Sequence, residues 1–270
     1  MHTYHRFPHP LLRACIDRYW GWECEPSERV TLPRVLPGTG VELFLHHGTP
    51  FQHAAAEGTR CLPRHHTLCV RRRALPLAPV VGAGFVAVRF RAGRLARLTA
   101  LPVAECLDQP LPIEALWGTP GRDLAERVAA AADFPQRVEL IERFLLRQLD
   151  RRRDDPLVTA AVDRLYRASS ELTIAQLAGQ LGIGRRQLER RFLAAEGLTP
   201  AAFRGRVRFQ KTIRQLMLEP SRPLLETALA HGYYDQSHFC RDFRRLAGRS
   251  PAGHLAQAQR ATHFYNTSRR

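Results

Sequence analysis

Apolar positions change their period along this chain, and the change divides it. Up to about residue 115, short apolar runs such as Val41–Leu45 and Val80–Phe90 alternate with prolines and glycines, and Pro37-Gly38 stands just ahead of one of them. Short apolar runs bounded by turn residues predict strands. From Gly121 the spacing becomes helical: Leu124, Val128 and Ala131 share one face, and Val138, Ile141, Leu145 and Leu149 share another. The stretch Asp150 to Pro156 is charged and ends in proline, which marks a linker. Beyond it a helix is predicted from about Leu157 to Tyr166, with Val158, Ala161, Val162 and Leu165 inward. Thr173, with Gln176 three residues on, opens a short helix through Gln180. Further helices are predicted from Arg185 to about Ala195, Ala201 to about Leu218, Leu224 to Ala230 and Gln236 to Leu246. Thr199-Pro200 and Ser250-Pro251 are matched helix starts, a capping hydroxyl followed by a proline where no N–H is missed.

The last hundred residues hold one helical unit twice. Ala178 and Gly182 return 50 positions later as Ala228 and Gly232. After one inserted residue, Leu188, Arg190, Phe192, Gly197 and Pro200 return 51 positions later as Phe239, Arg241, Phe243, Gly248 and Pro251. A small residue, a glycine at the helix exit and a second helix with one apolar face are the parts of a helix-turn-helix. The fold class expected is therefore α+β: a β-rich N-terminal domain with trailing helices (1–150), then an all-α domain of two helix-turn-helix units on a connecting helix (157–256), then a tail (257–270).

Charge adds a class of partner. The formal net charge is +16 over 270 residues, which points to polyanions. Residues 157–270 hold 19 basic and 8 acidic side chains, against 22 and 17 in the rest, so the excess sits with the repeat. Lys211 is the only lysine, so arginine density by itself reflects composition bias more than function. No run approaches 18 apolar residues, so neither a membrane span nor a secretory signal is expected, and a cytoplasmic location with reduced thiols follows.

In the second helix of each unit the apolar residues Leu188 and Phe192, or Phe239 and Phe243, leave the other face to polar groups. On that face stand Arg185, Arg186, Glu189 and Arg190 in one unit and Gln236, Ser237, His238 and Arg241 in the other. Arg pairs with guanine, Gln with adenine, and Glu accepts from cytosine. Arg186, Glu189, Arg190, Gln236, Ser237, His238 and Arg241 are the candidate base contacts. Arg185, with Arg208, Lys211 and Arg214 on the connecting helix, are the candidate phosphate contacts. That helix should span about 27 Å at 1.5 Å per residue, close to the spacing of about 34 Å between successive major-groove faces. An ordinary helical bundle with a solvated charged face remains the competing reading, and duplication together with local charge weighs against it.

The stretches AHGYYDQSHFCRDFRRLAGRSP (Ala230–Pro251) and LTIAQLAGQLGIGRRQLERRF (Leu172–Phe192) resemble the two helix-turn-helix units of AraC/XylS-type transcriptional regulators. The resemblance covers about residues 157–256. It implies sequence-specific binding to double-stranded promoter DNA in bacteria, with RNA polymerase as a compatible partner and no catalysis or cofactor. Gly184 departs from the serine or alanine often found there and leaves the first reading helix with a weaker start. Arg34–Gly48 and Gly84–Trp117 resemble an uncharacterised sensor-like region found ahead of such domains.

That region implies an effector of unknown identity or homodimerisation. Tyr19, Trp20, Trp22, Phe44 and Phe90 could wall an apolar pocket, or simply form core. Cys61, His65, His66 and Cys69, with His46, His47 and His53 upstream, lie close in sequence but match no zinc spacing, so no metal is expected. Cys69 or Cys106 would be redox-active only if exposed and acidified. The helical stretch Gly121–Leu149 could pack on its own domain or form a dimer face. Two other functional classes stay open: a DNA-targeted repair or modification enzyme, and a nonspecific architectural binder. Against the enzyme, the chain has no G-x-S-x-G, no phosphate loop and no H-E-x-x-H.

Overall fold

Alternation along three neighbouring strands builds two cores on opposite faces of one sheet. The computed structural model describes residues 1–68, 71–103, 107–150 and 155–258. Its N-terminal part contains β1 (His2–Arg6), β2 (Ile16–Glu23), β3 (Arg29–Val30), β4 (Glu42–His46), β5 (Gln52–Ala55), β6 (Gly58–Cys61), β7 (His65–Leu68), β8 (Val80–Val81), β9 (Gly84–Phe90) and β10 (Pro110–Pro112). Six of them form an antiparallel sheet in the order β1-β2-β9-β4-β7-β10, so β9 and β4 lie at its centre. β3 pairs with β8 and β5 with β6 in two small ribbons.

Side chains two apart share a face. Tyr19, Leu43, Leu45, Val86, Val88 and Phe90 therefore point one way, under α1 (Ile113–Ala130) and α2 (Phe134–Gln148). Trp20, Trp22, Phe44, Phe85 and Ala87 point the other way, joined by Phe51 from the loop side. The expected run Val80–Phe90 is two strands, because the chain turns at Gly82, where φ is +66°, and β8 and β9 enter different sheets. The first trailing helix begins at Ile113 rather than Gly121 and is broken at Gly118 (φ 58°, ψ −144°) just ahead of Pro120. Both helices pack on the sheet, so the stretch 121–149 serves its own domain.

The C-terminal part is helical: α3 (Pro156–Arg167), α4 (Ile174–Gln180), α5 (Arg185–Glu196), α6 (Pro200–Leu218), α7 (Leu224–Ala230), α8 (Gln236–Ala247) and α9 (Pro251–Ala258). Local chemistry sets the starts. Asp155 caps α3, Thr173 and Gln176 form a reciprocal capping box on α4, Thr199 caps α6 and Asp235 caps α8. Gly184 places no side chain on the start of α5. Two cores result. One gathers Ala161, Leu177, Leu188, Phe192 and Phe203, and the other Phe209, Ala228, Phe239, Phe243 and Leu246, with α6 feeding both.

Candidate nucleic-acid interface

The second helix of each unit is held by its apolar side and leaves its polar side in water. In α5, Leu188 and Phe192 are fully buried, with Phe192 edge-on to Phe203 of α6 at 5.2 Å. Their register exposes Arg185, Arg186 and Arg190 and half-exposes Glu189. In α8, Phe239 and Phe243 are buried against Phe209 and Tyr233, leaving Gln236, Ser237 and Arg241 exposed and His238 half-buried. The turns before both helices require a left-handed residue, and Gly182 (φ 67°) and Gly232 (φ 80°) supply it.

The two faces differ in what they already hold. Arg186, Arg190 and Arg241 have no ion pair among the described residues. Arg185 Nε instead donates to Glu189 at 2.9 Å, so a candidate phosphate contact and a candidate base contact satisfy each other without DNA. The His238 amide donates to its capping Asp235 at 2.6 Å, and its ring Nδ1 accepts from the Tyr234 amide at 3.4 Å. Arg244, one turn beyond Arg241, is also exposed and lay outside the sequence reading, as did Tyr234, at 87% the most exposed large apolar side chain among the described residues.

The connecting helix α6 carries polar ties to both units. Arg204 donates to the Leu172 carbonyl at 2.7 Å and Arg208 to the Gly232 carbonyl at 3.0 Å, the latter with its guanidinium 4.3 Å over the Tyr233 ring. Lys211 Nζ donates to the Tyr166 carbonyl and reaches Ser169 Oγ at 3.4 Å. Gln215 bonds His231 at 2.7 Å. Spacings of three and four put these groups on one stripe of the helix. Arg208 and Lys211 thus have their charged heads on protein carbonyls. Burial lowers the Lys211 pKa, as expected of an ammonium drawn out of water. Arg214 is exposed, and its charge is the smallest of several effects on Arg18 of β2, whose pKa is lowered chiefly by burial.

The N-terminal candidates separate. The five aromatics expected either to wall a pocket or to form core lie on two faces: Tyr19 and Phe90 under the helices, Trp20, Trp22 and Phe44 on the other side. All five are buried core residues. His46 and His66 are buried among the second group, their rings stacked at 5.6 Å, and His66 Nδ1 bonds the Pro63 carbonyl at 2.7 Å. Burial drives His46 well below its ordinary pKa and holds His47, His65 and His66 at about 4. Cys61 is exposed on β6, and His53 stands on β5, half-buried. Cys69 and Cys106 lie outside the described residues. Among the described residues no group of three or more His, Cys, Asp or Glu could hold a metal, and no helix is long and apolar enough to cross a membrane.

Comparison with known proteins follows the same division. Residues 177–257 match a family model described as a helix-turn-helix domain, and residues 4–112 match a domain of unknown function, DUF6597. The HTH-type transcriptional regulator CdhR of Pseudomonas aeruginosa is 30% identical over 155 residues, covering 52% of this chain and 46% of that protein. The HTH-type transcriptional regulator MtrA of Neisseria gonorrhoeae is 33% identical over 95 residues, covering 35% and 30%. The chain thus spans less than half the length of these curated relatives. A transcriptional regulator from Chromobacterium violaceum with an AraC-type DNA-binding domain, of solved structure, is 30% identical, covers 38% of this chain and 94% of that one, and superposes with a TM-score of 0.36. Two tandem helix-turn-helix units, the helix-turn-helix model over the repeat and relatives that regulate transcription identify the C-terminal part of the chain as a tandem helix-turn-helix domain of the AraC/XylS type.

Proposed function

We propose that the chain is a sequence-specific regulator of transcription that lays α5 and α8 into adjacent major grooves on one side of a promoter duplex. The observation that carries this reading is the pair Arg190 and Arg241. They occupy equivalent positions of the two units, both exposed, and neither is spent on a carboxylate among the described residues. A free guanidinium on a helix face is suited to the paired acceptors of guanine. Arg186, Glu189, Gln236, Ser237 and His238 complete the proposed base contacts. Because the two faces differ in chemistry, each monomer should read a non-palindromic site. Arg185 is proposed for phosphates, and Arg244 joins it. Arg208 and Lys211 are proposed as braces, and Arg214 as facing the N-terminal domain.

Response to a small molecule, homodimerisation and contact with RNA polymerase belong to the same proposal, through the N-terminal domain and the exposed surface. Footprinting on fragments selected by the protein from random DNA tests the reading. Protection of one discrete site of about two helical turns is expected. Arg190→Ala or Arg241→Ala should cost about 1–3 kcal/mol at that site and relax base preference locally. Uniform protection, or equal losses on unrelated DNA, would identify a nonspecific binder instead.

A further inference from the structure

The N-terminal domain touches both helix-turn-helix units, and it touches them at equivalent places. Glu196 is the last residue of α5, directly before the left-handed Gly197. Ala247 is the last residue of α8, directly before the left-handed Gly248. The Gly93 amide bonds the Glu196 carboxyl, and the Arg34 guanidinium donates to the Ala247 carbonyl at 3.0 Å. The Ala74 amide adds a bond to the Leu246 carbonyl at 2.8 Å. Final carbonyls of a helix lack partners within it, and a cation there also meets the negative end of the helix dipole. Arg34 therefore completes α8 from another domain.

Apolar contacts follow the same two lines. Ala92 is buried in the first helical core and Leu36 in the second. Arg94 donates to Thr159 at 2.8 Å and pairs with Asp163 at 3.2 Å, both on α3. Between the two ends, Thr39 bonds Tyr166 of α3 and Gln210 of α6. Residues 34–39 lead into β4 and residues 92–94 leave β9. These strands are hydrogen-bonded neighbours, antiparallel, at the centre of the sheet, with Glu42 opposite Arg89. The start of one and the end of the other therefore lie side by side, and one stiff edge carries both docking segments.

We propose that this edge is a template that fixes the angle and separation of the two reading helices, with Arg34, Gly93 and Glu196 as positioning residues. The proposal rests on the reading of α5 and α8 as DNA-reading helices. It assigns the N-terminal domain a role in choosing the DNA: the distance between the two sub-sites is set by residues that never approach a base. Gly93 suits its place because it has φ +73°, and a Cβ there would stand 3.0 Å from Glu196 Oε1 and 3.3 Å from Val162 Cγ2.

The test uses the full chain and the site it selects from random DNA, with one or two base pairs added or removed between the sub-sites. Each base pair moves one sub-site by about 3.4 Å and turns it by about 35° around the axis. The wild type should lose at least about tenfold in affinity per step, the scale of one lost bidentate contact. Arg34→Ala/Gly93→Ala should bind the original site within about tenfold and lose less than about threefold per step. Amide hydrogen exchange at residues 74 and 93 reports whether the docking has opened, and Glu196→Gln, which keeps an acceptor for the Gly93 amide, should retain the wild-type penalty. An opened double variant that still discriminates spacing as sharply as the wild type overturns the template. Exchange unchanged in the double variant overturns the assignment of these residues. A wild type that selects no discrete site refutes the DNA-reading proposal instead, a separate outcome.

Discussion

Glu196, buried where the two domains meet, is expected to make the stability of the fold depend on pH. Its carboxyl is 3% exposed at the end of α5, with the Gly93 amide as hydrogen-bond donor and Arg94 as the nearby positive charge. Burial raises its pKa from 4.5 to about 7, against the smaller opposing effects of that hydrogen bond and that charge. Tyr166, half-buried on α3, has its pKa raised chiefly by desolvation and to a smaller degree by the like charge of the same carboxylate. A carboxyl that binds its proton more tightly in the folded state stabilises that state below its unfolded pKa and ceases to do so as pH rises through the folded value. The window is therefore from 4.5 to about 7. A rise of roughly two and a half units corresponds to about 3 kcal/mol of folding free energy lost across it. Glu196→Gln holds the side chain neutral at every pH. Urea denaturation followed by far-ultraviolet circular dichroism between pH 4.5 and 8 should show the variant gaining about 3 kcal/mol on the wild type as pH rises. The amide's extra donors shift the whole difference by a constant, so the slope is the test. His47, His65 and His66, depressed to about 4, work in the opposite direction, stabilising above 6.5 and losing that effect as pH falls. Both proteins share them, and subtraction removes them. A difference that stays flat with pH would refute a buried, desolvated Glu196.

Three further outcomes follow from the braces and turns. Lys211→Ala should lower stability by about 1–3 kcal/mol, because carbonyls at the end of α3 lose their donor, and should leave the salt dependence of DNA binding unchanged; a slope reduced by about one would restore Lys211 to the phosphate contacts. Gly232→Ala should cost more than Gly182→Ala by thermal denaturation. Each carries about 1–2 kcal/mol for a left-handed alanine, but a Cβ at 232 would also lie 2.9 Å from Ser170 Cβ, whereas nothing lies within 4 Å at 182; equal costs would contradict the packing of the second turn on Ser170. Leu36→Ala should destabilise by about 2–5 kcal/mol and loosen the second helical unit, and protection of Phe239 and Phe243 amides by hydrogen exchange reads it; a loss confined to the sheet would place Leu36 in the wrong core.

What the sequence shows of this molecule is what neighbouring residues decide. Thr173 with Gln176, Thr199 with Pro200, and Asp235 each act within three or four positions, and the helices they open begin where expected. The exposed faces of α5 and α8 follow from the burial of Leu188, Phe192, Phe239 and Phe243 alone. Of the two readings open for the aromatic group of the first half, core holds, on two separate faces. Tyr19 and Trp20 are adjacent, and adjacency on a strand sends side chains to opposite faces. The ties of Arg208 and Lys211 are not legible in sequence because their carbonyl partners are 24 and 45 residues away. A cation on a helix surface looks the same in sequence whether it awaits a phosphate or already caps a turn. The docking of Arg34 on Ala247 spans 213 residues, and no local pattern announces it.

Braces and template bear on one quantity, the freedom of one reading helix relative to the other. Two readers joined only by a flexible segment would find their sub-sites one after the other, and the second capture would depend on how often the segment presents it at the right distance. Here α6 is a continuous helix with polar ties to both units, through Arg204 and Lys211 on one side and Arg208 and Gln215 on the other. A single helix still bends and rolls, and one line of ties leaves rotation about its axis free. The edge formed by β4 and β9 supplies a second line, reaching Glu196 and Ala247 at the far ends of α5 and α8. Two separated lines of attachment fix an angle where one cannot. Ordering completed during folding is not required again at the DNA, so affinity gains and tolerance of wrong spacing falls together. The same geometry makes the central strands the place where an effector would act, since a shift of β4 against β9 changes both attachments at once.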